Sequence, residues 1–278
     1  MEKIRTIGAW IALTILLFTA TVLPVGAVEP VYKASDEYIS SPYYTALTEV
    51  TLSGDGRYDV LTLAFSQLGY HEGDSDADLA GANENGTRNF AEYNRIYGKL
   101  DNGEGNGVSY GYSWCAAFVS WCLRHAEVDK SVALTEVSCR RMTDWYREQG
   151  RFYRRNSGYT PRPGDLIMFH EGVGIPTHVG IVVGTRGNVV RVIDGNGVEG
   201  SVALHEYRRS SRKIYGYCVP DYHVLPGTVY DFWPEADDVN AFTLQLVMAG
   251  VLFGTFAAVG IPLLCRYRRS KERERLEG

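Results

Sequence analysis

Cysteine is scarce in this chain of 278 residues, with five in all, and no two of them form a CxxC pair. A zinc site is therefore not expected. Six histidines are too widely scattered to mark a metal site by spacing alone. Internal repeats are missing, which excludes solenoid and propeller architectures. Basic charge is also short, with 28 Lys+Arg against 33 Asp+Glu. Setting aside residues 1–27 and 266–278 leaves 20 basic and 29 acidic residues, a balance of −9 for the middle. Such a surface repels phosphate backbones, so no nucleic-acid partner is expected.

Long apolar runs, by contrast, are present at both ends. Lys3 and Arg5 precede an uncharged stretch from Ile7 to Leu23, then Pro24 and the small residues Val25-Gly26-Ala27. A basic start, an apolar centre and a small-residue end predict a secretory signal over 1–27, with an uncleaved anchor as the alternative. The 25 residues from Ala241 to Cys265 carry no charge and exceed the ~20 that a membrane-crossing helix needs. Arg266, Arg268, Arg269 and Lys271 follow at once, a basic flank that belongs on the cytoplasmic side. The expected order is a signal at 1–27, a linker at 28–50, a domain at 51–224, an acidic spacer at 225–240, a transmembrane helix at 241–265 and a basic tail at 266–278. The predicted localisation is a bacterial cell membrane, crossed once, with the domain outside. Gly250 and Gly254 form a small-xxx-small pair that would suit a homodimer through the membrane helix.

Within the domain, helical signals come first. Leu61, Ala64, Phe65 and Leu68 share a helical face that ends at Gly69, and Asn89–Tyr97 is a short helix ending at Gly98. Trp114 to Ala126 is apolar nearly all round, the mark of a buried helix, with Ser113 placed as its N-cap. Ser138 to Gln149 is a further helix, stopped by Gly150. After Pro163-Gly164 the pattern changes to strands at Asp165–His170, Thr177–Gly184, Asn188–Gly195, Ser201–Tyr207 and Lys213–Val219. Helices followed by an antiparallel sheet predict a segregated α+β fold.

Cys115 opens the buried helix, where the positive end of the dipole favours a thiolate. Ala116 and Ala117 leave room for a partner group. The candidate partner is His178, in the strand Thr177-His178-Val179-Gly180-Ile181-Val182-Val183. A three-residue loop at Thr185-Arg186-Gly187 would pair Gly184 with Asn188 and set His178 opposite Asp194, with Asn196 on the same face. A base histidine needs a third group to hold its ring, and Asp194 or Asn196 would supply it. His170 is the rival base. Cys122, Cys139 and Cys218 read as core thiols, a Cys139–Cys218 bridge being one pairing that nothing in the sequence selects. His125 reads as a cation at its helix end, and His71, His205 and His223 as surface or structural residues.

Gln67-Leu68-Gly69-Tyr70-His71-Glu72-Gly73, Trp114-Cys115-Ala116-Ala117-Phe118-Val119-Ser120-Trp121-Cys122, Pro163-Gly164-Asp165-Leu166-Ile167-Met168-Phe169, Thr177-His178-Val179-Gly180-Ile181-Val182 and Asp194-Gly195-Asn196 follow one another in an order that resembles the CHAP family, the cysteine- and histidine-dependent amidohydrolases/peptidases. The likeness spans about Asp59 to Tyr222. It implies a papain-like fold with peptidoglycan as substrate, cleaved as an amidase or endopeptidase, with Cys115 as nucleophile and His178 as general base. The family usually has Glu-Gly-Asn where this chain has Asp194-Gly195-Asn196. The backbone N–H of Cys115 is a natural oxyanion donor, and a second is expected from Tyr110 to Trp114. A non-catalytic wall-binding or scaffolding protein on the same fold is the alternative.

No cofactor is expected. Asp74-Ser75-Asp76-Ala77-Asp78 fails as a calcium loop, because Leu79 stands where glycine is needed and Asn85 where glutamate is. Asp101, Glu104 and Asn106 offer oxygen ligands where some CHAP relatives bind structural calcium.

Overall fold

The computed structural model describes residues 28–233 apart from 29, 102, 104–106, 173 and 198. Helices α1 (Asp36–Ile39), α2 (Pro42–Thr48), α3 (Gly56–Ser66), α4 (Cys115–His125) and α5 (Cys139–Glu148) precede an antiparallel sheet. Its strands are β1 (Phe152–Arg154), β2 (Leu166–Phe169), β3 (His178–Arg186), β4 (Val189–Asp194), β5 (Ala203–Arg208) and β6 (Ile214–Cys218), in the order β1-β6-β2-β3-β4-β5. This is the expected α+β arrangement of helices against an antiparallel sheet. The predicted signal at 1–27 and membrane helix at 241–265 lie outside the described residues. Among the described residues, no helix is long and apolar enough to cross a membrane.

Helix α4 is the central pillar. Every residue of it except Arg124 is buried, and its apolar side chains join those of α3 and of β3 in the main core. Val179, Ile181 and Val183 of β3 and Ile193 of β4 face this core. The alternate residues, Val182, Val190 and Val192, face the other side, where Ile167, Phe169, Ile214 and Tyr217 form a smaller cluster. Period-two alternation thus splits the sheet between two apolar layers. Strand β1 carries no such alternation over its three residues, and sequence periodicity does not reveal it.

Two expectations about the edges of the domain are corrected. Residues 28–50 are not an irregular linker, because α1 and α2 bury Tyr38 and Leu47 completely. Ser35 N–H and Oγ–H both donate to the buried carboxylate of Glu92, at 3.0 and 2.6 Å, and Tyr38 Oη–H donates to Gln67 Oε1 at 2.9 Å. Tyrosine-rich segments fool a periodicity reading because their rings bury while their hydroxyls bond. The first part of the predicted spacer also folds back: Phe232 packs its ring 5.0 Å from Tyr58 and 5.6 Å from Phe65, and Tyr230 Oη–H donates to Asp55 at 2.8 Å.

The β3–β4 hairpin departs from the expected register. Arg186 pairs with Val189, so the turn is the two-residue Gly187-Asn188 rather than Thr185-Arg186-Gly187. An irregularity between Val182 and Gly184 then shifts the register, and Ile181 pairs with Ile193. Continuing that ladder puts Gly180, not His178, opposite Asp194. His178 lies two residues further along the same face, the diagonal position that a long side chain can still reach. The bulge offset could not be counted from turn residues. Gly180 makes the diagonal contact feasible, since a Cβ there would lie 2.9 Å from Asp194 Cβ and 2.5 Å from Val192 Cγ1.

Two outcomes follow from this packing. Gly180→Ala should cost about 1–3 kcal/mol by overpacking against Val192 and Asp194, as denaturant unfolding would measure. Burial raises the Glu92 carboxyl from 4.5 to about 7, against the Ser35 hydrogen bonds. The folded state therefore holds a proton there that the unfolded chain has lost. Stability should fall as pH rises from about 4.5 to about 7 and stay flat above, by roughly 3 kcal/mol at most. Chemical unfolding across that range should show this slope in the wild type and a flatter one in Glu92→Gln.

Candidate active site

Cys115 is the first residue of α4 and is 4% exposed. The helix starts without a side-chain cap: Trp114 occupies the N-cap position, and Ser113, expected there, does not cap it. The first-turn amides of α4 are consequently not quenched by a capping oxygen, and the helix dipole acts on the sulfur undiminished.

What holds this helix start is a set of hydrogen bonds from distant residues. Asn196 Oδ1 accepts from Trp114 N–H at 2.9 Å. Asn196 Nδ2 donates to Glu72 Oε2 at 3.0 Å and to Asn89 Oδ1 at 2.8 Å. Glu72 Oε2 also accepts from the indole Nε1 of Trp114 at 2.8 Å. Gly195 approaches so near that a Cβ there would lie 2.3 Å from the Trp114 ring. Asn196 adopts φ 59°, a left-handed conformation that asparagine tolerates better than most residues. These contacts correct the reading of Asn196 as a candidate orienting group for the histidine: its amide is committed to the start of α4. They also remove Trp114 N–H from the candidate oxyanion donors. Glu72 is a site residue that sequence reasoning passed over, although the Gln67–Gly73 motif contains it.

Asp194 takes the orienting place. It is 1% exposed, and its Oδ2 lies 3.2 Å from His178 Nε2. With Nε2 turned to the carboxylate, Nδ1 is the nitrogen left to the sulfur. The His178 side chain is 23% exposed, so the ring lies at an accessible edge rather than inside the core. The other carboxylate oxygen, Oδ1, lies 3.5 Å from His205 Nε2. His205, expected to be peripheral, shares the aspartate.

The electrostatics follow from these contacts. The Cys115 thiol is held well below the ordinary cysteine range, by the thiol of Cys139 first and by His178 next, with the backbone N–H of Val179 contributing and burial opposing. Burial alone would lower His178, yet the Asp194 carboxylate and the Cys115 sulfur raise it well above 6.5. Opposite shifts in two coupled groups favour a thiolate–imidazolium pair.

The remaining candidates are placed as follows. Cys139, read as a core thiol, is the first residue of α5, and its sulfur lies 3.6 Å from that of Cys115. Cys115, Cys122, Cys139 and Cys218 are all free, so the Cys139–Cys218 bridge is not formed. Cys122 and Cys218 are buried in the main core as expected. His170 is not turned to Cys115; its ring packs 5.7 Å from Tyr215, and Nδ1 accepts from Gly172 N–H at 3.2 Å. His125 is no helix-end cation, because burial lowers it to about 4 and its Nδ1 lies 2.8 Å from Trp121 O. His71 is buried, with Nδ1 2.9 Å from the carbonyl oxygen of Glu72. Asp101 Oδ1 accepts from Gly103 N–H at 3.1 Å, while Glu104 and Asn106, its expected calcium-binding companions, lie outside the described residues.

No curated protein matches the chain. Among the solved structures that resemble it are the crystal structure of Ly7917 and the crystal structure of Ly7917 with the hydrolyzing product of MDP, each 18% identical. The first covers 38% of this chain and 53% of its own, with a TM-score of 0.29; the second covers 46% and 61%, with a TM-score of 0.30. This chain therefore spans between half and two thirds of those structures' length. The family model of the CHAP domain matches residues 107–196, a span that contains Cys115, His178, Asp194 and Asn196.

Proposed function

We propose that this protein is a cysteine hydrolase that cleaves amide bonds in bacterial peptidoglycan, held at the membrane by its C-terminal segment with the catalytic domain outside. The observation that carries the reading is the set Cys115, His178 and Asp194, in which a buried carboxylate lies 3.2 Å from an imidazole that is electrostatically coupled to a helix-start thiol. A binding module has no use for opposite pKa shifts in coupled groups; a nucleophile and its base do. The CHAP-domain match supports peptidoglycan as the substrate class. The uncharged run 241–265 and its basic flank support the tether.

The Cys115 thiolate attacks the scissile carbonyl carbon, and the carbonyl π electrons move to oxygen. The N–H of Cys115 meets that oxyanion at the uncapped helix start. The His178 imidazolium then gives its proton to the leaving nitrogen as the C–N bond breaks, leaving an acyl-thioester on Cys115. Neutral His178 removes a proton from water, whose oxygen attacks the thioester carbonyl; the C–S bond then breaks, the acyl group leaves as a carboxylic acid, and the thiolate–imidazolium pair is restored. Asp194 keeps Nε2 occupied throughout, so proton traffic runs through Nδ1. Asn196 and Glu72 act earlier in the chain of causes, by fixing where α4 begins.

Purified peptidoglycan incubated with the detergent-solubilised full chain should release free-amine products detectable by mass analysis, and Cys115→Ala should release none. New reducing sugar ends in place of amines would refute amide cleavage. The amine released, muramoyl-linked alanine or a bridge residue, identifies the bond as an amidase or an endopeptidase target. The pH profile carries a signed expectation. The reactive pair exists from the lowered thiol pKa up to the raised imidazole pKa, so kcat/KM should form a broad plateau with its alkaline limb above 6.5. Asp194→Asn removes the charge that raises His178. It should move that limb down toward the ordinary imidazole value and reduce kcat/KM roughly a hundredfold. An unmoved limb would show that Asp194 does not act on His178.

A further inference from the structure

Two free thiols in contact at the floor of a site built for one call for an explanation. Cys115 Sγ and Cys139 Sγ are 3.6 Å apart, and Cys139 is 7% exposed. Each is the first residue of its helix, α4 and α5, so two positive dipole ends converge on one pair of sulfurs. A disulfide needs ~2.05 Å between sulfurs, a closure of about 1.5 Å. Hydrolysis of an amide forms and breaks bonds only at the Cys115 sulfur, so Cys139, although its thiol helps to hold that of Cys115 low, makes no bond in the chemistry proposed above.

From this arrangement we propose that Cys139 is a resolving thiol: the Cys115–Cys139 pair is an oxidation site that takes hydroperoxides and closes to a reversible disulfide, switching the hydrolase off and sparing its nucleophile. The inference rests on Cys115 being the reactive thiolate of the preceding section. In the first step the Cys115 thiolate attacks one oxygen of hydrogen peroxide. An S–O bond forms, the O–O bond breaks, and the hydroxide that leaves takes the His178 proton to become water. Cys115 is then a sulfenic acid. In the second step the Cys139 sulfur attacks the Cys115 sulfur. An S–S bond forms, the S–O bond breaks, and the departing hydroxide takes the Cys139 proton as water. The two cysteines lose two electrons and the peroxide is reduced to two waters.

The order of events is built into the pair. While Cys115 is a thiolate, its charge keeps the proton on Cys139, which stays the inert partner. Oxidation to a neutral sulfenic acid removes that charge, so that the Cys139 proton, whose loss is then opposed mainly by burial, can pass to the departing hydroxide. Cys218 adds a built-in control. It lies near enough to Cys139 to influence it, but it is completely buried in the core and burial pushes its own thiol up.

The test treats the detergent-solubilised full chain with hydrogen peroxide, maps the cysteine peptides by mass, and then adds dithiothreitol. The expected result is a peptide pair joined through Cys115 and Cys139, two hydrogens lighter than the reduced pair, with hydrolysis lost and then recovered. In Cys139→Ala and Cys139→Ser, Cys115 should instead gain two or three oxygens, and recovery of hydrolysis should fall by roughly tenfold or more. A Cys139–Cys218 link, no link at all, or equal recovery in wild type and variants would overturn the proposal. Because the linkage is read by mass without substrate, its absence is distinguishable from a failure of the hydrolase reading. A chain that forms the link yet cleaves no peptidoglycan would retain the oxidation site and refute the substrate assignment instead.

Discussion

A carboxylate almost wholly removed from water, set against an imidazole, is the contact on which the rest of the site depends. Asp194 is 1% exposed, and its oxygens lie 3.2 Å from His178 and 3.5 Å from His205. Burying a charge is costly unless it is paired. The pairing here raises the basicity of His178 enough to overcome the burial that would lower it, and a basic imidazole in turn favours the thiolate of Cys115. Gly180 is the backbone concession that makes the contact possible, because any side chain at that position would meet Asp194 and Val192.

The second constraint is the location of the nucleophile, which depends on the first turn of α4. That turn has no capping side chain of its own. Asn196, from the end of the strand that delivers Asp194, accepts the Trp114 N–H, and Glu72 accepts both the Asn196 amide and the Trp114 indole. One short segment, Asp194-Gly195-Asn196, therefore sets a carboxylate beside His178 and anchors the helix that Cys115 opens at once. Glycine between them is required by the approach of the Trp114 ring.

The legible part of this architecture was the part with a period. Alternation gave five of the six strands and the buried character of α4, and Cys115, His178 and Asp194 could be named as a set from helix start, strand and hairpin. Three things resisted. The bulge between Val182 and Gly184 changes the register without changing the alternation, so Asp194 reaches His178 diagonally rather than directly across. Asn196 lies past the end of β4 with φ 59°, where the period-two rule no longer applies, and its side chain turns to Trp114 instead of the imidazole. The packing of 28–50 depends on tyrosine hydroxyls and on Glu92, bonds between residues far apart in sequence that no local window contains.

The same alternation explains why the site stands at the end of the sheet and nowhere else. His178, Asp194 and His205 share the face that carries the small second cluster, with the His178 ring 5.8 Å from that of Phe169. Cys115 comes from the helix on the opposite face, beside Val179 and Ile181. Side chains on opposite faces of a sheet cannot meet through it. They can meet around its end, and His178 is the first residue of β3. A histidine two residues further in, at position 180, would be walled off from the sulfur by the backbone of its own strand. The strand's starting point is therefore a functional boundary as much as a structural one: it lets an imidazole held by a carboxylate on one face reach a thiol presented from the other.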